Sequence, residues 1–306
     1  LVVALGLRVI PSIAPAEGTR HFDVTGAVLI TASLVSLTFG IVRTDTLGWG
    51  DPGVVAPLIA GLTLLAAFLF VEARVAEQPL VPLSIFRIGH LRAANSVVLL
   101  LYAAQFPGWF FLTLYLQQVL HYDAIEAGLG FLPMTLSIFA ASTLAPRIVA
   151  RFGSRRVITA GMLTSAAGFM MLGGVTPGGT YVQTVLLGAV LSALGMGLTL
   201  VPATIVAMQG VERAQSGVAS GLLNTSRLVG GALGLAVLST IAAGQAGDGG
   251  GSAVAATNGF GLAYHVGAVI ALSGAAIAGF LLREPSDPEV IRIPRTEERE
   301  HEALAA

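Results

Sequence analysis

The chain is 306 residues long, 55% hydrophobic and only 11% charged, with a formal net charge of −1. Soluble domains carry roughly a quarter of their residues as charges, so a fully solvated exterior is excluded and an integral membrane protein remains. The 16 basic residues are all arginine, no basic domain offers itself to nucleic acid, and the lack of cysteine rules out disulfides and thiolate metal sites.

The opening residues, LVVALGLRVIP, read as the last turns of a helix that starts upstream, so residues 1–12 are expected to be the end of a truncated span. Residues 13–92 hold a polar loop with Glu17, Arg20 and Asp23, two apolar runs at 24–42 and 54–71, and a proline-containing connection from 72 to 92. Each run is long enough for a helix rising 1.5 Å per residue to cross a hydrocarbon layer about 30 Å thick. Residues 93–283 hold six more runs, at 93–120, 127–145, 157–175, 181–208, 217–243 and 260–282, and residues 284–306 form a charged tail.

Within the third run, Pro107-Gly108 favours a kink, because proline removes a backbone donor. Asp123 and Glu126 have capping-box spacing at the start of the fourth, which makes Glu126 a cap and not a proton site. Pro133, Gly195 and Pro202 are further bending points. Small residues recur every fourth position at Ala189, Ala193 and Gly197, at Gly217 and Gly221, at Gly230 and Gly234, and at Gly267, Ala271, Ala275 and Gly279. Such stripes predict close helix packing, since lipid supplies no hydrophobic drive to bring helices together.

The stretch PRIVARFGSRR, residues 146–156, places four arginines between two apolar runs. Short arginine-rich loops stay on the cytoplasmic side. Strict alternation from that loop then puts 14 of the 16 arginines inside, Arg43 outside and Arg227 within a span, with the C-terminus inside.

Arg227 lies beside Asn224, Thr225 and Ser226, and a charge at that depth must face protein or water. It either holds carbonyls as a structural group or attracts an anionic substrate group or a carboxylate from elsewhere. Asn95, Tyr102 and Gln105 share one neighbourhood of the third span, and Trp109, Phe110 and Phe111 offer flat apolar walls beyond them. His265, near the outer end of the last span, is expected to be interfacial or packed rather than a proton carrier. With no carboxylate near the centre of any span, a proton-coupling group is expected outside this stretch. No HExxH, GxSxG or phosphate-binding loop occurs, and no cofactor is expected.

PRIVARFGSRR resembles the Gly-x-Leu-Ala-Asp-Arg-x-Gly-Arg-Arg loop motif of the major facilitator superfamily, as it recurs in the C-terminal half. Arg147, Ile148, Arg151, Phe152, Gly153, Arg155 and Arg156 fit, whereas Pro146 and Ala150 stand where the pattern has its first Gly and its Asp. EARVAEQPLVPLSIFR (72–87), LYLQQVLHYDAIEAGLGFLP (114–133) and SGVASGLLNTSRLVGGALGLAVL (216–238) resemble the fourteen-helix drug:H+ antiporter branch.

The resemblance implies an all-α polytopic membrane protein with a C-terminal six-helix bundle plus two inserted central helices. It implies proton-coupled efflux of small lipophilic or cationic compounds by alternating access in the plasma membrane, together with an N-terminal half not present here. The loop residues Arg147, Arg151, Gly153, Arg155 and Arg156 would gate the conformational change. Arg227, Asn224, Ser226, Asn95, Tyr102, Gln105 and Trp109 are the substrate-cavity candidates. The competing expectations are a half-transporter kept as an accessory membrane subunit and, further off, a membrane-embedded enzyme.

Overall fold

The computed structural model describes residues 23–74, 89–211, 215–246 and 253–282. The expected upstream span end, most of the 72–92 connection and the charged tail lie outside the described residues. Among the described residues every regular element is helical: α1 Val24–Leu47, α2 Pro52–Arg74, α3 Gly89–Leu114, α4 Ala124–Gly130, α5 Leu132–Phe152, α6 Ser154–Leu172, α7 Leu187–Met208, α8 Ser216–Ala246 and α9 Ala253–Leu281. Two π-helical turns, Tyr115–Val119 and Tyr181–Leu186, extend α3 and precede α7. Among the described residues, seven helical stretches are long and apolar enough to cross a bilayer. The chain is therefore a multi-pass, all-α membrane protein. The stretch expected to span at 157–175 folds as α6 but is not among those seven, since Arg155 and Arg156 occupy its first turn.

The chain divides into two compact units, one holding 1–40 with 49–82 and the other 41–48 with 83–306. In the first, α2 starts where Asp51 accepts from Gly53 N at 2.7 Å and Pro52 takes the first helical position, which needs no donor. The pair closes through small groups: Gly61 lies against Leu37, Gly40 against Leu58, and Ser33 Oγ donates to Gly61 O at 2.8 Å. Glu72, placed by sequence in the connection, is instead buried in the last turn of α2, because Glu-Ala-Arg are good helix formers and carry the helix on.

In the second unit α3 runs on through Pro107 as helix, and a π turn follows two turns later. There Leu120 N reaches back to Tyr115 O at 3.0 Å, and His121 adopts φ 57° to leave the helix. The capping box forms as expected, with Asp123 Oδ1 accepting from Ile125 N and Glu126 N and Glu126 Oε2 accepting from Asp123 N. It starts only the short α4. The chain bends at Phe131 before Pro133 helps open α5.

The helices alternate in direction. At one end of the unit His90, opening α3, hydrogen-bonds Gln209 O just past α7. At the other end Tyr115 Oη donates to Thr176 O at 2.8 Å and Tyr181 Oη to Gly130 O at 2.6 Å. Glycines decide which helices touch. Gly161 and Gly168 of α6 mesh with Gly195, Gly188 and Ser192 of α7, and Gly197 closes on Ala141 and Ile138 of α5. Gly230 and Gly234 of α8 press on the carbonyls of Leu99 and Ala103 in α3, and Ala271 and Ala275 are buried on α9. The equally spaced Gly217 and Gly221 face open space, so the packing expected of that pair does not form.

Candidate functional site

The arginine turn joins α5 to α6 through Gly153, whose φ 83° and ψ 153° lie in a region that side chains hardly enter. Its N–H donates to Val149 O at 2.8 Å, closing α5. Arg147, Arg151, Arg155 and Arg156 are all exposed, and Arg151 lies over the Phe152 ring at 5.4 Å. Arg156 also lines a pocket of about 270 Å³ with Ile148, Phe152, Val157, Ala160 and Leu198. Ala150, where the resembled motif has its carboxylate, is exposed, so the turn has no counter-charge of its own at that position.

The second cluster is built on facing sides of α3 and α8. Asn95 Nδ2 donates to Leu91 O at 2.9 Å, and its Oδ1 accepts from Ser226 Oγ at 2.9 Å, with both side chains buried. That hydrogen bond pins α3 to α8 in lipid, where the two groups have no water to turn to. One residue on, Arg227 places its guanidinium carbon 6.0 Å from the Tyr102 ring centroid, and one terminal nitrogen reaches Thr204 Oγ1 of α7 at a long 3.4 Å. Its Nε is buried with no acceptor. Thr204 itself donates to Leu200 O at 2.8 Å, which turns its oxygen lone pairs toward the incoming cation.

The structure thus unites four of the seven cavity candidates, Asn95, Tyr102, Ser226 and Arg227. Asn224 is exposed one turn earlier on α8 and joins none of them. Gln105 is fully buried with Oε1 unpartnered, and Trp109 Nε1 is likewise buried without an acceptor. Trp109 belongs instead to an open groove of about 450 Å³ lined by Phe106, Trp109, Phe110 and Thr113 of α3 with Phe131, Met134, Thr135 and Ile138 of the α4–α5 bend. Phe111, expected beside them as a wall, points into the core, where it meets Phe260 at 5.6 Å and Tyr264 at 6.3 Å. His265 packs its ring on Gly173, as expected.

Sequence reasoning missed Thr204 and Tyr264. Buried Tyr264 donates to Gly108 O at 3.1 Å and lies nearly parallel to Phe169. A threonine four residues before the end of an apolar helix gives no signal, because only the register of α7 against α8 brings it to Arg227.

These features define a polytopic membrane bundle with a half-buried guanidinium between α3, α7 and α8 and an aromatic groove in its side. Two overlapping stretches, residues 1–235 and 96–305, match the sequence model of the Major Facilitator Superfamily, and the chain belongs to that family. It is 42% identical over 225 residues to the cephamycin export protein CmcT of Amycolatopsis lactamdurans, covering 73% of this chain and 46% of that protein. It is 34% identical over 249 residues to the puromycin resistance protein pur8 of Streptomyces alboniger, covering 80% and 49% respectively. With the tetracenomycin C resistance and export protein of Streptomyces glaucescens it shares 32% identity over 247 residues, covering 79% and 45%. The chain spans about half the length of these relatives.

Proposed function

We propose that the chain is the C-terminal part of a proton-coupled exporter of small molecules in the plasma membrane, working by alternating access. The observation that carries this reading is the guanidinium of Arg227, held by α3, α7 and α8 inside one bundle. A charge kept there at the cost of desolvation marks a functional site in a membrane protein, and the relatives named for export and resistance supply the direction of transport.

In this reading residues 93–283 are the six-helix domain, residues 13–92 bring the inserted helix pair, and the tail is cytoplasmic. Tyr102, Trp109 and Arg227 face the substrate path and the Asn95–Ser226 hydrogen bond holds α3 to α8 beside it, whereas buried Gln105 and the separate Asn224 are left out of it. The arginine turn, Arg147, Arg151, Gly153, Arg155 and Arg156, gates the swing of the bundle against the N-terminal half. Proton coupling belongs to that half, because between residues 89 and 282 the described carboxylates are Asp123 and Glu126, and both are engaged in a helix cap.

The test is efflux from vesicles containing the intact protein under an imposed pH gradient. Gradient-dependent loss of a preloaded compound is expected. Efflux that ignores the gradient overturns proton coupling, and no efflux of any lipophilic compound overturns export.

A further inference from the structure

The charge inside the bundle has a sign, and the sign selects a ligand. Between residues 89 and 282 no described Asp or Glu lies on a span interior, while Arg227 brings a full positive charge with Nε unpartnered. The contacts it does make are weak for a cation in low dielectric: a ring face at 6.0 Å and one hydroxyl at 3.4 Å. Neither neutralises it. A guanidinium presents forked donors that fit a carboxylate, and desolvation strengthens that bond.

The apolar part of the site lies next to it. Phe106 follows Tyr102 by one helical turn, about 6 Å along α3, and packs on Gly231, one turn past Arg227 on α8. From Phe106 the groove opens through Trp109 and Phe110, with Thr113 and Thr135 as its hydroxyls, each already donating to its own helix. Arg227 and the groove therefore form one strip: a cation at one end and an uncharged aromatic trough at the other.

Resting on the exporter reading above, we infer that this half of the cavity takes organic anions, compounds with an aromatic or apolar body and a carboxylate one to two helical turns away. Arg227 binds the carboxylate, and Phe106, Trp109 and Phe110 receive the body. A cationic compound, one of the two substrate kinds implied by the family resemblance, meets repulsion here and no counter-charge among the described residues.

The test compares 4-phenylbutyrate with 4-phenylbutyramide, which share a body and differ in charge, by equilibrium dialysis against the intact protein in phosphatidylcholine nanodiscs, with empty nanodiscs as blank. The acid is expected to bind about tenfold tighter than the amide or better, as for a charge-assisted hydrogen bond gained. R227Q is expected to remove the preference and bring acid and amide to equal affinity, because the larger, charge-assisted part of the bond is lost. W109L weakens both and keeps their ratio.

Equal binding of acid and amide by the unmodified protein overturns the inference without recourse to any variant. So does a preference that persists in R227Q. Loss of the preference when phosphatidylglycerol replaces part of the phosphatidylcholine identifies a net-anionic lipid headgroup as the counter-charge and overturns the substrate assignment. Absence of any efflux with the acid preference intact strikes the exporter reading and leaves the anion site standing.

Discussion

The α6–α7 seam and the α3–α5 groove lie in the same unit and draw on the same apolar alphabet, yet one is shut and the other open. Along the seam, Gly161, Gly168, Gly188 and Gly195 bring the two backbones close, and Ser165 Oγ donates across it to Ser192 O at 3.2 Å. Along the groove, Phe106, Trp109, Phe110 and Phe131 meet across a gap of about 450 Å³. In lipid, where apolar surface gains nothing by leaving its solvent, residue size decides closure and hydrophobicity does not. The seam is the rigid spine of the unit, and the groove is the place where a guest gains contacts that the protein does not make with itself.

The sharpest way to break that contrast is to give the seam a side chain. Gly195→Leu drives a Cβ into the backbone of Gly161 and Ser165 and is expected to cost more than about 3 kcal/mol, the upper range for overpacking. Little folded protein should survive in detergent, as read by size-exclusion chromatography. Gly153→Ala strains the turn that ties a groove helix to a seam helix by about 2 kcal/mol, since its positive φ is nearly closed to alanine. Thermal unfolding in detergent reports the loss, and an unchanged midpoint removes the backbone argument for that turn.

Asp123→Ala removes the cap below the groove and should cost about 1 kcal/mol, with Asp123→Asn recovering most of it. Smallest is Thr135→Val in the groove wall, expected within about 0.5 kcal/mol because the hydroxyl bonds only its own helix. A large destabilisation there would show the groove to be as tightly packed as the seam.

Much of this was legible in the residues. The arginine turn, the helix spans and the capping box rest on local chemistry, and local chemistry survives folding. What escaped was whatever depends on helix rotation. Gly217 and Gly221 have the same spacing as Gly230 and Gly234, but a four-residue repeat defines a face and says nothing of what the face meets. Phe110 and Phe111 are neighbours in sequence, and about 100° of rotation sends one to the groove and the other to the core. Arg227 stood out because a charge in a span is rare. Thr204 did not, because hydroxyls are common there and only packing selected it. Pro107-Gly108 was legible as a break in side-chain cover, but not that the Phe169 ring and the Tyr264 hydroxyl would meet the chain at Gly108.

The wide turn at Tyr115–Val119 sets an azimuth. An extra residue in one turn shifts the phase of everything before it by about 100° relative to the corner at Asp123. Deleting one residue there would leave α3 its length and composition but swing Asn95, Tyr102 and Phe106 away from the partners they now meet. That small irregularity, far from the guanidinium, works as the sight by which the whole strip is aimed.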